Sequence, residues 1–492
     1  MIVEILGAKL LAPYFGSSHF VWTAQIAVTL LALAAGYAVG GGLADASRHP
    51  DPLFAVLLGA AFWLALDALI CEPVAFACLK LRLAMGSLLA ALILFFLPLA
   101  SMATVGPFVV KLITTRLKGV GANVGKITAL GTLGSVGGTL LIGYALLPRM
   151  SNTAVLLLTA AALAAMGLGY FVAWRPARIG PGAATVLTGG LLGFLAAHHP
   201  PLRPPEGFVE RFRRNSNFGL IQVIDTTDGR LRYYLNDLLT QNSWDPKSRR
   251  SMSMFTYMLH ELARIHCPNL RRALCVGLGV GIVPGRLAAE GVQVDVVEIN
   301  PAIVPVAEKY FGFDPSRVRL HFGDGRYYLA TSKESYDAII LDAFLGESPP
   351  AHLMTREAFE EMRRLLRPKG VLVMNSFGEL TPGKDFLTAS LHRTLKTVFP
   401  TAQMHTSGNG NVFFVATAAK ELKPYRAIDY GQIPFSLQEE VRVAAVPSTP
   451  PAPDHGMVLT DDYNPADYYD AENREELRRR LALSFRPGEA SL

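Results

Sequence analysis

Residues 1 to about 198 are an almost unbroken apolar sequence, whereas from about 203 onward short apolar runs alternate with charged stretches. A hydrocarbon core about 30 Å thick is crossed by roughly 20 apolar residues in a helix. Segments 21–44, 84–105, 124–147 and 153–174 meet that length, and 53–70 lies at its short end. Segment 182–197 is shorter and glycine-rich, the pattern of a re-entrant or interfacial stretch. Residues 1–14, with Glu4, Lys9 and a terminating Pro13, read as an incomplete span, the tail of a helix that starts upstream. They have neither the basic start nor the cleavage pattern of a secretory signal.

Beyond Pro200–Pro205 the periodicity becomes that of strands. Leu220-Ile221-Gln222-Val223-Ile224 and Leu231-Arg232-Tyr233-Tyr234-Leu235 flank Asp228-Gly229, which predicts a hairpin in a small β-rich subdomain. A helix is expected over 252–265. Strands at 273–276, 292–297, 318–322, 338–341 and 371–375 then alternate with helices starting at 282, 301 and 355. That alternation predicts a Rossmann-like, doubly wound parallel sheet. Runs 403–406 and 412–416 around Ser407-Gly408-Asn409-Gly410-Asn411 suggest a terminal antiparallel hairpin. The expected organisation is a multi-pass helical membrane domain (1–198), a linker and β-hairpin subdomain (199–250), a nucleoside-binding α/β domain (251–420) and a C-terminal extension (421–492).

Charge and small residues refine the apolar half. Gly36-x-x-x-Gly40 and Gly134-x-x-x-Gly138 each put small residues on one helix face, which predicts close helix packing. Glu4 and Asp67 are ionisable groups at membrane depth, costly unless paired or hydrated. Each is either a contact for a cationic substrate or a structural partner, as Lys9 would be for Glu4. Two basic connections, Lys111/Arg116/Lys118 and Arg175/Arg178, both favour the cytoplasm. The net charge of +6 fits such flanking loops, and no basic and aromatic pattern points to nucleic acid. Cys71, Cys78, Cys267 and Cys275 have neither metal-ligand nor disulfide-framework spacing, so no metal is expected.

In a doubly wound sheet, ligands sit beyond the carboxyl ends of the strands. Gly277, Gly279 and Gly281 follow the first strand, where missing side chains let the backbone approach a ligand. Glu298 ends the second strand, 17 residues past Gly281, placed to accept both ribose hydroxyls. Asp324 and Gly325 follow the third strand, with the acid suited to an adenine amino group, and Asp342 follows the fourth. A glycine triad with Glu298 would also serve a dinucleotide. The third- and fourth-strand acids favour an S-adenosylmethionine-type nucleoside.

These residues resemble the spermidine synthases, the polyamine aminopropyltransferases, and the whole chain looks like the membrane-fused branch of that family. The soluble likeness runs from about 216 to 379. Its most specific segments are Gly323-Asp324-Gly325-Arg326 and Leu341-Asp342-Ala343-Phe344, followed by Pro349-Pro350-Ala351-His352-Leu353-Met354-Thr355. The resemblance implies aminopropyl transfer from decarboxylated S-adenosylmethionine to a small-molecule amine. Glu298 would hold the ribose, Asp324 the adenine, and Asp342 would act as base or orient the amine. Gln241 and His260 fall near the family's Gln and His positions on the donor, and Pro349 lies in the motif beside the acceptor.

Two departures bear on the acceptor. The family's acids that hold the far ammonium of a diamine are replaced by Val280 and Leu345. Glu347, Asp461 and Asp462 are the candidate substitutes, the last two in a segment expected to fold over the pocket. The enzyme is expected in the cell inner membrane, with the soluble domain in the cytoplasm and a homodimer as an open option. Two other readings compete: an S-adenosylmethionine-dependent methyltransferase, and a transporter or sensor whose nucleoside domain is not catalytic.

Overall fold

The computed structural model describes residues 1–16, 19–114, 119–198, 202–204, 206–344, 346, 349–452 and 455–484. They form two compact units, residues 1–203 with 214–219, and residues 204–213 with 220–492.

The first unit is helical: α1 (Ile2–Phe15), α2 (His19–Ala46), α3 (Asp51–Cys78), α4 (Leu83–Ala103), α5 (Val105–Ile113), α6 (Val120–Leu140), α7 (Asn152–Trp174) and α8 (Ile179–His198). Among the described residues, six helical stretches are long and apolar enough to cross a membrane, starting at His19, Asp51, Leu83, Val120, Asn152 and Pro176. Two expectations are corrected. The short span at 53–70 is a helix of 28 residues that continues through Pro73 to Cys78. The segment at 182–197 is not a broken re-entrant loop but part of one continuous helix, α8.

The two glycine pairs behave differently. A Cβ at Gly36 would lie 2.2 Å from the Ala100 carbonyl oxygen, and one at Gly40 would lie 2.7 Å from Thr104 Cα. The α2 backbone therefore rests directly on α4. Gly134 meets nothing within 4 Å, and Gly138 meets only the Ile2 side chain, at ordinary contact distance. At the start of α3, Asp51 accepts hydrogen bonds from the Tyr170 hydroxyl (2.6 Å), Arg175 Nε (3.2 Å) and Arg178 Nη1 (2.7 Å).

Beyond the helices comes a five-stranded meander: β1 (Phe208–Ser216), β2 (Gly219–Thr226), β3 (Arg232–Asn236), β4 (Leu239–Asp245) and β5 (Arg250–Ser251). The expected hairpin is its β2–β3 turn, where Gly229 takes a positive φ of 66°. The α/β part follows: α9 (Met254–His266), β6 (Arg272–Val276), α10 (Ile282–Ala289), β7 (Gln293–Glu298), α11 (Val304–Phe311), β8 (Arg319–Phe322) and α12 (Gly325–Thr331). Then come β9 (Tyr336–Leu341), α13 (Arg356–Leu365), β10 (Leu366–Phe377), α14 (Phe386–Val398), β11 (Thr401–Thr406) and β12 (Asn411–Thr417). The chain ends in α15 (Phe435–Ala445), β13 (Pro447–Ser448), α16 (Ala466–Tyr469) and α17 (Ala471–Ser484).

The eight-stranded sheet has the order β13-β11-β12-β10-β9-β6-β7-β8. Its five strands from β10 to β8 are parallel, and the β11–β12 hairpin is antiparallel. Alternate residues of a strand face opposite sides. Accordingly, Ala273 and Cys275 pack with Leu262 and Leu287 beneath α9 and α10, while Leu274 and Val276 pack with Phe359 and Leu391 beneath α13 and α14. Strand order reverses between β6 and β9, the switch point at which such sheets bind ligands.

Candidate active site

The loops leaving β6 and β9 meet at that switch point. Asp342 N donates to the Val276 carbonyl (3.0 Å). Gly277 has φ 100°, and a Cβ there would lie 2.3 Å from the Asp342 carbonyl oxygen, so only glycine admits this approach. Gly281, at φ 79°, starts α10 against the Phe313 ring, where a Cβ would come within 2.4 Å. Gly279 differs from both: it is exposed, and nothing lies within 4 Å of its Cβ position. It is the glycine whose backbone is open to a ligand.

Glu298 closes one side of this opening. Its Oε2 accepts from Leu278 N (2.9 Å) and its Oε1 from Asn300 N (2.7 Å). Burial raises its carboxyl above the usual range, and these backbone bonds only partly offset the rise. Tyr234, reaching in from β3, is buried, and burial together with the Glu298 charge holds its phenol above its ordinary value.

Asp342 is partly exposed, yet protein surrounds its carboxyl. Burial pushes it up to about 6, against a hydrogen bond from Asn375 Nδ2 (3.0 Å), which lowers it. Asn375, at the top of β10, is 3% exposed, and its Oδ1 has no partner among the described residues. Gln241, on β4, donates to the Gly346 carbonyl (3.4 Å), tying the meander to the loop that follows Asp342.

Asp324 sits at the rim with a local function. Its Oδ1 caps α12 by accepting from Arg326 N (2.8 Å) and Tyr327 N (3.1 Å), and its Oδ2 accepts from His352 Nε2 (3.0 Å). Gly325 is buried, and its missing side chain lets α12 close on Val276, 2.7 Å from its Cβ position.

The remaining sequence candidates divide. His260 is fully buried, with Nδ1 on Glu261 (2.9 Å) and Nε2 on Glu290 (3.0 Å), so both ring nitrogens are taken up in a network between α9 and α10. Val280 is 1% exposed and packs into the core. Pro349 is buried. Asp461, which is exposed, accepts from Thr355 Oγ1 (2.6 Å) and Arg326 Nη2 (2.8 Å). Asp462 is exposed. Glu347 and Leu345 lie outside the described residues. Sequence reasoning missed Asn375 and His352. The first ends a parallel strand, where the switch-point rule puts ligand-facing groups, and the second stands inside the Pro-x-His motif.

A family model for the spermine/spermidine synthase domain matches residues 252–416. A polyamine aminopropyltransferase of Vibrio vulnificus is 33% identical over 233 residues, covering 45% of this chain and 77% of that protein. An N-terminal histidine N-methyltransferase of Emericella nidulans is 26% identical over 240 residues, covering 44% of this chain but only 41% of that protein. A solved spermidine synthase from Thermotoga maritima aligns with a TM-score of 0.38 at 20% identity, over 48% of this chain and 84% of that one.

Proposed function

Because this chain belongs to the spermine/spermidine synthase family of polyamine aminopropyltransferases, we propose that its α/β unit transfers an aminopropyl group from decarboxylated S-adenosylmethionine to an amine. The observation that carries this reading is Asp342, a desolvated carboxylate at the switch point with a pKa of about 6. The donor's sulfonium is a good leaving group. The amine nitrogen bonds to the methylene carbon attached to sulfur, the C–S bond breaks, and its electron pair stays on sulfur to leave neutral methylthioadenosine. An alkyl ammonium has a reference pKa near 10, so the nitrogen must lose a proton. Asp342, ionised above pH 6, takes it and holds the amine in line.

Glu298 keeps lone pairs after its two backbone bonds, and these accept the ribose hydroxyls. Asp324 meets the adenine amino group at the rim. Gln241 positions the loop after Asp342. With Val280 in the core and Asp461 tied to Arg326, the described residues put no fixed carboxylate opposite Asp342 for a second ammonium. A monoamine therefore serves as acceptor as well as a diamine does. The six apolar helices anchor the enzyme in the cell inner membrane, with the α/β unit in the cytoplasm.

Similarity to a histidine N-methyltransferase favours one alternative, methyl transfer from S-adenosylmethionine in the same cleft. A product screen by mass spectrometry separates the two. The wild type should convert decarboxylated S-adenosylmethionine and a panel of mono- and diamines into aminopropylated amines and methylthioadenosine, and Asp342→Asn should not. Methylated products formed with S-adenosylmethionine alone would overturn the proposal.

A further inference from the structure

We propose that the helical unit holds a second binding site, centred on Asp67 and Gln25, which takes a primary ammonium on an apolar stem. The inference rests on the reading of these helices as membrane spans and is independent of the chemistry at Asp342. Asp67 on α3 and Gln25 on α2 are both 0% exposed, and neither carboxylate oxygen nor either side-chain amide atom has a hydrogen-bond partner among the described residues. Thr114 Oγ1 is also unmatched, but other acidic and aromatic polar groups of this unit have partners. Asp51 has its tyrosine and two arginines, Trp63 Nε1 donates to the Leu94 carbonyl (3.1 Å), and Glu72 accepts from Leu202 N (3.1 Å).

The two unmatched groups lie at one depth. Consecutive spans joined by short turns alternate in direction, so α1 and α3 run the same way, and the Tyr14 and Phe76 rings meet at 5.2 Å. Gly7 precedes Tyr14 by seven residues and Asp67 precedes Phe76 by nine, so at 1.5 Å per residue they differ in depth by about 3 Å. Gly7 in turn lies against Gln25, whose Oε1 is 2.7 Å from the glycine's Cβ position. Helix α1 packs on α2, α3 and α4, so the helices that carry the two groups share it as a neighbour.

In an apolar interior a bare carboxylate is not maintained; it takes a proton or a counter-cation. Asp67 lies about 24 Å from the start of α3 and about 16 Å from its end, too deep for a lipid headgroup held at the interface. A calcium or magnesium ion demands about six or more oxygens, and no group of three His, Cys, Asp or Glu occurs among the described residues. Two carboxylate oxygens and one amide oxygen match the three N–H donors of a primary ammonium. The buried Leu6, Leu64, Ala90 and Leu94 of the same helices suit its alkyl stem.

The test uses the full chain in phosphatidylcholine nanodiscs treated with dicyclohexylcarbodiimide, which couples to protonated carboxyls in apolar surroundings, with the adduct located by peptide mass spectrometry. Asp67 should carry the adduct, and saturating propylamine should reduce it about tenfold and leave Asp67 unmodified, with no propylamide formed by capture of the activated carboxyl, whereas 1-propanol should not reduce it. Gln25→Leu, which keeps Asp67, should weaken that protection, so the result does not depend on whether Asp67→Asn folds. An adduct indifferent to propylamine would mark a carboxyl that only holds a proton, and no adduct would mark one that nothing reaches; either overturns the site. A chain that never enters the nanodisc instead overturns the membrane reading, and the site with it.

Discussion

Asp295 and Asp342 belong to one sheet, two strands apart, and their surroundings treat their charge in opposite ways. Asp295, on β7, is 2% exposed and accepts hydrogen bonds from Arg272 Nη2, Arg319 Nη2 and the Tyr336 hydroxyl, each at 2.9 Å. Burial alone would raise its carboxyl, but these partners overcome that and hold it at about 2. Asp342 is desolvated too, yet among the described residues it receives one neutral amide donor, and it rises to about 6. Desolvation is common to both; the cations are not. Where a carboxylate serves structure, this fold surrounds it with arginines. At the switch point it leaves a carboxylate able to take a proton near neutral pH, which is what a base for an amine requires.

The largest effect should come from Asp342→Asn. Loss of the base should lower kcat by about a thousandfold with little change in donor KM, measured by release of methylthioadenosine. The same substitution should stabilise the fold. A rise from 3.8 to about 6 corresponds to at most about 3 kcal/mol of penalty on the ionised form. The sign gives a second check. Below pH 3.8 the carboxyl is protonated in folded and unfolded chains alike, and the penalty is complete only above pH 6. The melting advantage of Asp342→Asn should therefore be full at pH 7 and fade as pH falls towards 4. Equal stability of the two proteins at pH 7 would contradict the desolvation account.

Asp295→Asn should do the reverse. Removing the charge leaves Arg272 and the buried Tyr336 hydroxyl poorly matched, at a cost of about 3 kcal/mol by chemical denaturation. Its depressed pKa contributes stability above pH 3.8 that is lost as pH falls through about 2. Loss of activity at Asp295→Asn without loss of stability would break the comparison.

Much of this contrast was legible before the fold was known. The glycine loop, Glu298, Asp324 and Asp342 each end a run whose period marks a strand, and the switch-point rule then gathers them. The partners were not legible. Asp295 and its arginines lie in separate strands, and Glu290, which takes up Nε2 of His260, is 30 residues away at the end of another helix. Two glycine pairs with one spacing read alike, although only Gly36 and Gly40 face a neighbouring backbone. Spacing reports which face can pack, not what arrives there. Helix α3 continues past Pro73 because a proline costs one backbone bond, less than the packing of the apolar turns that follow, including buried Ala75 and Phe76.

A smaller effect should follow from Asn375→Leu. Its amide lowers the pKa of Asp342, so its removal should move the acid limb of the pH–rate profile upward from about 6. At pH 6 the rate should fall about threefold while the plateau at pH 8 stays close to wild type. An unchanged acid limb with a lower plateau would make Asn375 a packing residue rather than one that tunes the base.

The smallest effect tests which side of the contrast Asp461 belongs to. Its carboxylate joins Arg326 and Thr355, its amide donates to Glu357 Oε2 (3.0 Å), and Asn464 Nδ2 donates to the Ala351 carbonyl (2.9 Å). The segment is thus tied to the turn that follows the Asp342 loop. Asp461 is 47% exposed, so water screens the ion pair, and Asp461→Asn should cost no more than about 1 kcal/mol. Hydrogen exchange at 459–464 should quicken, and turnover of mono- and diamines should fall together or not at all. That outcome puts Asp461 with Asp295, as a charge used to hold the fold. If turnover of diamines alone collapses, the arginine pair is a resting arrangement that an incoming ammonium displaces, and Asp461 joins Asp342 among the groups that handle substrate.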